Sequence, residues 1–202
     1  MEAARECACK AARSCAKCLD PEYRKQFPDL LPLPEGPPTT AATSVSAYTD
    51  GCLPGLKLVP DFLSEDEEHA LVQCLEADPN WKPSQSGRSK IDYGPQVNFK
   101  KQKIKMGDFK GLPAYAKSAI DQIRALDCSF EAHEMSVLSY QKLDGASLAF
   151  HFDDFWIWGE RIYGINLVSD TVLTFQKGSE QIEVPIPRRS LYCMSGASRY
   201  EW

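Results

Sequence analysis

Apolar residues follow two rhythms in this chain, and the change between them separates helices from strands. After a short strand-like stretch, Leu56 to Phe62, Ser64 stands before Glu65-Asp66-Glu67. That order predicts a capping box, with the serine closing a helix start and Glu67 reaching back. Leu71, Val72, Cys74 and Leu75 form the apolar stripe of that helix, His69 lies on its solvated side, and Pro79 ends it. A second amphipathic helix is predicted over Leu112 to Ala125, with Tyr115, Ala119, Ile120 and Ile123 on one side. Beyond it the period shortens to that of strands, expected at 130–140, 147–152, 162–168, 171–176, 180–186 and 189–194, with Pro185 and Pro187 marking an edge. The pattern is mainly β with flanking helices. A double-sheet jelly roll uses about eight strands, and six are visible.

Composition refines this division. Residues 20–54 carry Pro21, Pro28, Pro32, Pro34, Pro37 and Pro38 and then a Thr/Ser/Ala run, the composition of a linker; a proline-rich docking peptide is the alternative. The folded domain is therefore expected over 55–202. With 202 residues and 43% hydrophobic content the chain can bury one sizeable core. A net charge of -5 argues against a protein that coats nucleic acid. Neither an eighteen-residue apolar run nor a signal-peptide core is present in the sequence, which predicts a soluble, intracellular protein.

Charge and cysteines are unevenly placed. Residues 82–110 hold eight basic side chains against Asp92 and Asp108, a net +6, interleaved with Tyr93, Asn98 and Phe99. Such a segment can grip phosphates and stack on a base, or be a solvated loop. Cys7, Cys9, Cys15 and Cys18 lie within the first 19 residues. Thiols so closely spaced fit a structural zinc knuckle in a reducing compartment. A reactive tail is the plainer reading and an iron–sulfur cluster a third. Cys52, Cys74, Cys128 and Cys193 read as buried small hydrophobes.

The candidate chemistry centres on Ser147 to Asp154. In an extended strand His151 and Asp153 project to one side while Phe150 and Phe152 turn to the core. An imidazole and a carboxylate so placed are two members of the two-histidine, one-carboxylate triad that holds Fe(II). The tripeptide alone is a weak signal. However, the run SYQKLDGASLAFHFDDFWIWGERIYGINLVSDTVLTF, the segment WKPSQSGRSKIDYGPQVNFKKQKIKMGDFKGLP and the cysteine cluster together resemble the AlkB-like Fe(II)/2-oxoglutarate dioxygenases, nearest to their fourth-homologue subfamily.

That resemblance implies a double-stranded β-helix, or jelly roll. It also implies His151 and Asp153 as iron ligands, Tyr140 as a cosubstrate contact, and 82–110 as a substrate lid using Arg88, Lys90, Tyr93, Asn98, Lys100 and Lys101. The implied reaction uses Fe(II), 2-oxoglutarate and O2 to oxidise an N-methyl group that leaves as formaldehyde. The implied substrates are methylated lysine on an actin-like protein or N6-methyladenine in DNA, met in the cytoplasm and nucleus, with no membrane partner. The family's asparagine two residues before the tyrosine is Leu138 here. Its second iron histidine and cosubstrate arginine follow the H-x-D strand at a distance that this chain, ending at Trp202, does not reach. His69 and His133 are the other histidines, and His133 reads as an ordinary strand histidine. The expectation is thus an incomplete jelly roll lacking its C-terminal strands, with little turnover. The alternative is an inactive short form acting as a zinc, nucleic-acid or protein-binding module.

Overall fold

A computed structural model describes residues 44–84, 87–98, 101–140, 148, 150–153 and 157–202. The four N-terminal cysteines, most of the 20–54 segment, Phe99 and Lys100 lie outside the described residues.

Two small sheets share one apolar core. In the first, β10 (Glu180–Ile186) pairs antiparallel with β9 (Thr171–Lys177) and parallel with β1 (Ser44–Ala47). In the second, β11 (Leu191–Met194) lies between β2 (Leu56–Val59) and β8 (Ile162–Ile165). Alternation along β10 sends Ile182, Val184 and Ile186 inward to meet Phe175 of β9, Leu56 of β2 and Leu53 from the segment before it. Leu58, Tyr192 and Met194 pack against the same cluster. Each fully buried aliphatic side chain contributes about 1.5–3 kcal/mol, so this contact is what holds the sheets together.

β1 and the buried Leu53 fall inside the stretch read as linker. The sequence hides them for a physical reason: β1 exposes all four side chains and joins the sheet through its backbone, which leaves no apolar pattern to see. The turn at Gly55 then locks β2 to the end of β11. Its φ is +88°, and a Cβ there would stand 1.8 Å from the Ser195 carbonyl oxygen. Pro185, expected at an edge, sits in the middle strand opposite Val172. It is tolerated because β1 pairs only as far as Glu183, leaving Pro185 free on that side.

A third sheet orders β3 (Lys82–Pro83), β4 (Arg88–Tyr93) and β7 (Met135–Tyr140). Its helical side receives α1 (Glu65–Glu76), a single 3-10 turn (Ala114–Ala116) and α2 (Lys117–Leu126). The predicted capping box is formed: the Glu67 N–H donates to Ser64 Oγ and the Ser64 N–H to Glu67 Oε2. Helix and sheet are tied at Asp78, just beyond α1, whose carboxylate accepts from the hydroxyls of Tyr93 at 2.6 Å and Tyr115 at 2.7 Å and from Asn80. On the other side of α1, buried Glu68 accepts from Arg188 Nε at 2.6 Å and from the Val168 N–H at 2.7 Å. A last pair, β5 (Gln96–Asn98) and β6 (Lys103–Lys105), stands out as a hairpin.

The architecture is β-rich with flanking helices, as the pattern predicts. Two expectations change. No described ladder includes 148 or 150–153, so the predicted strand 147–152 is not formed by its described residues, and the closed jelly roll is not traced by the described ladders. Of the four scattered cysteines only Cys193 is buried; Cys52, Cys74 and Cys128 are exposed. Cys74 shows why: it borders the apolar stripe of α1 but falls on the solvent side of Leu75. Among the described residues no helix is long and apolar enough to cross a membrane.

Burial alone would raise the Asp78 carboxyl, but bonds from Tyr93, Tyr115 and Asn80 hold it down at about 2. A depressed carboxyl stabilises the fold above its unfolded value of 3.8, and that stability is lost as pH falls toward 2. Thermal unfolding should therefore show about 2 kcal/mol lost between pH 5 and pH 2 at this site. Asp78→Asn should be less stable at pH 5 and lose correspondingly less on acidification.

Candidate functional site

The face of the third sheet opposite the helices carries the chemistry. Residues directly opposed in an antiparallel pair share a face, and the register sets Arg88 against Tyr140, Lys90 against Leu138 and Asp92 against Ser136. The intervening Ile91 and Val137 form the other face, where Ile91 is fully buried. Along the first face Asp92 accepts from Lys90 Nζ at 2.7 Å, Lys82 Nζ at 2.9 Å and Ser136 Oγ at 2.9 Å. Burial and the nearby Asp92 charge push the Glu134 carboxyl up to about 7, despite Lys90.

Tyr192 of β11 interacts electrostatically with both Tyr140 and Asp153, which links this face to His151 and Asp153. His151 Nε2 lies 3.5 Å from Asp153 Oδ1, the side chains being 22% and 34% exposed. Two ligands at right angles on an ion about 2.1 Å away are separated by about 3 Å, somewhat less than the separation of this pair. Among the described residues no group of three His, Cys, Asp or Glu side chains could hold a metal. His69 meets Gln73, and His133, exposed, stands 3.8 Å from Glu131. The two donors come together without strand pairing. Without a ladder to impose alternation, Phe150 and Phe152 are 53% and 49% exposed instead of entering the core.

Two tyrosines, Tyr140 and Tyr192, belong to this neighbourhood. The Tyr140 hydroxyl accepts from Arg88 Nη1 at 3.5 Å, and Arg88 Cζ sits 5.6 Å from the centre of its ring. Tyr192 comes from the inner face of β11. Its ring lies over Gly164, where a Cβ would stand 2.2 Å from Tyr192 Cζ. Burial, with the charges of Tyr140 and Asp153, pushes its phenol up to about 12, so it stays protonated as a donor. Behind the site, buried Arg199 donates from Nε to the Gly159 carbonyl at 3.0 Å and from Nη2 to the Trp158 carbonyl at 3.2 Å. The Gly196 N–H donates to Glu160 at 2.7 Å. The segment after Asp153 is thereby fastened to the end of β11.

The residues expected in a lid separate into different environments. Arg88 is buried beneath Tyr140, Lys90 is paired with Asp92, Tyr93 turns to Asp78, and Asn98 Oδ1 accepts the Lys101 N–H at 2.9 Å to shape the hairpin turn. Lys101, Lys103, Lys105 and Lys110 are exposed, as are Ile104 and Met106. Tyr192, Gly164 and Arg199 are the site neighbours that sequence reasoning missed.

No family model matches the chain. It is 38% identical over 172 residues to a DNA N6-methyl adenine demethylase of Caenorhabditis elegans, a match covering 81% of this chain and 58% of that protein. It is 33% identical over 240 residues to the alpha-ketoglutarate-dependent dioxygenase alkB homolog 4 of Mus musculus, covering 98% of this chain and 80% of that one. The Homo sapiens protein of the same name is 31% identical over 246 residues, covering 100% and 80%.

The packing of Tyr192 on Gly164 predicts a conditional mutation. Gly164→Ala should cost about 1–3 kcal/mol by overpacking, measured by urea unfolding. In a Tyr192→Ala background, where no ring remains to collide, the same change should be close to neutral.

Proposed function

Because the chain belongs to the AlkB-like family of alpha-ketoglutarate-dependent dioxygenases, we propose that it takes part in oxidative removal of N-methyl groups, with His151 and Asp153 as iron ligands and Tyr140 as a cosubstrate contact. The observation that carries this reading is the 3.5 Å approach of His151 Nε2 to Asp153 Oδ1, with Tyr192 interacting electrostatically with both Asp153 and Tyr140. Bound Fe(II), with 2-oxoglutarate and O2, supplies the oxidation: one oxygen atom enters succinate as CO2 leaves, the other enters the N-methyl carbon, and the product releases formaldehyde.

The chain's own residues do the positioning. His151 Nε2 and an Asp153 carboxylate oxygen would be the two protein donors to the iron. The Tyr140 hydroxyl is the donor for a cosubstrate carboxylate, and the protonated Tyr192 phenol closes the inner wall. The exposed lysines of the β5–β6 hairpin offer a basic surface to the substrate.

Two substrate classes fit: N6-methyladenine in DNA and methylated lysine on an actin-like protein. The lysine-rich hairpin suits the phosphate backbone of the first. It equally suits an acidic surface bearing the second. The cytoplasm and nucleus hold both. The test is succinate and formaldehyde release by the full-length polypeptide carrying this sequence, given either a methyladenine oligonucleotide or a methyl-lysine peptide. We expect equal amounts of the two products with one substrate, and a fall of at least about 100-fold in His151→Ala and Asp153→Ala. Turnover unchanged in both variants would overturn the assignment. Methyl-group-independent binding without turnover would instead indicate a binding module.

A further inference from the structure

Arg88 differs from every other basic residue of the lysine-rich segment among the described residues. Those lysines are exposed or face Asp92, whereas Arg88 is only 6% exposed and lies directly across the strand pair from Tyr140. One guanidinium meets that tyrosine twice: Nη1 donates to the hydroxyl at 3.5 Å, and Cζ stands 5.6 Å from the ring centre. Tyr140 itself is 46% exposed, so burial alone does not fix its ring. A planar cation against both the ring face and its oxygen restricts rotation about both side-chain torsions, which a lysine ammonium does not reproduce.

We propose that Arg88 is a positioning residue that fixes the Tyr140 ring and aims its hydroxyl into the site, acting beneath the cosubstrate position and not on the substrate. The role of Tyr140 as cosubstrate contact rests on the function proposed above; its fixation by Arg88 does not. The burial of Arg88 limits its own motion, so the order passes from the core of β4 to the half-exposed ring. Tyr140 then presents a hydroxyl whose direction is set before any ligand arrives.

The test uses the full chain with 3-fluorotyrosine incorporated, the Tyr140 fluorine signal being assigned by its loss in Tyr140→Phe. A fixed ring should give a shifted signal with slow ring reorientation in the unliganded protein. Arg88→Lys and Arg88→Gln should move that signal toward the exposed-tyrosine position and sharpen it, while the thermal unfolding midpoint shows that the chain still folds. Binding of N-oxalylglycine, measured calorimetrically with Mn(II), should weaken about tenfold in Arg88→Lys. In a Tyr140→Phe background the same change should have a smaller effect. An unchanged fluorine signal in a folded Arg88→Lys protein overturns the proposal, and so does rapid ring flipping in the unaltered chain. A signal that moves in a protein binding no N-oxalylglycine upholds the positioning role and sinks the cosubstrate reading.

Discussion

Everything described here depends on the apolar contact between the β1–β10–β9 sheet and the β2–β11–β8 sheet. Val184 and Ile186 are completely buried in it, with Leu56 and Phe175 completing the contact. β11 is the middle strand of its sheet, so its inward side chains must serve two purposes. Tyr192 packs against the shared core and also faces the site. The stability of the core thus sets one wall of the site, since Tyr192 cannot shift without displacing Gly164 or its apolar neighbours.

Buried or half-buried carboxylates fasten the remaining parts onto this sandwich, each with its own donors. Glu68 joins α1 to the β9–β10 side through Arg188 and Val168, and Asp78 joins α1 to the third sheet through Tyr93 and Tyr115. Asp127, after α2, accepts from Tyr163, Ser129 and Arg161, and those bonds hold its carboxyl at about 2. The Asp78 bonds lie on the Ile91 face of the third sheet, since Tyr93 shares that face in the register, while Arg88 and Tyr140 lie on the other.

Much of this was legible in the sequence, for identifiable reasons. The Ser64 capping box, the Leu71–Leu75 stripe and the β8 to β11 strands depend on local spacing, and they stand close to where the pattern puts them. The pairing of His151 with Asp153 was legible because a one-residue spacer keeps two side chains near each other even outside a ladder. What could not be read depends on partners distant in the chain. β1 has no apolar signature, the importance of Tyr192 arises from Gly164 twenty-eight residues earlier, and Arg88 resembles its lysine neighbours until the register sets it against Tyr140. The described residues of the expected strand at 147–152 join no ladder, since alternating residues specify a strand only where another strand is there to pair.

The central claim is that His151 and Asp153 act as one metal-binding unit, and Mn(II) binding followed by electron paramagnetic resonance tests it most directly. Titrating the full-length polypeptide anaerobically, the account predicts one bound Mn(II) per chain, whose affinity falls sharply in both His151→Ala and Asp153→Ala. Equal binding by the unaltered protein and both variants would contradict it.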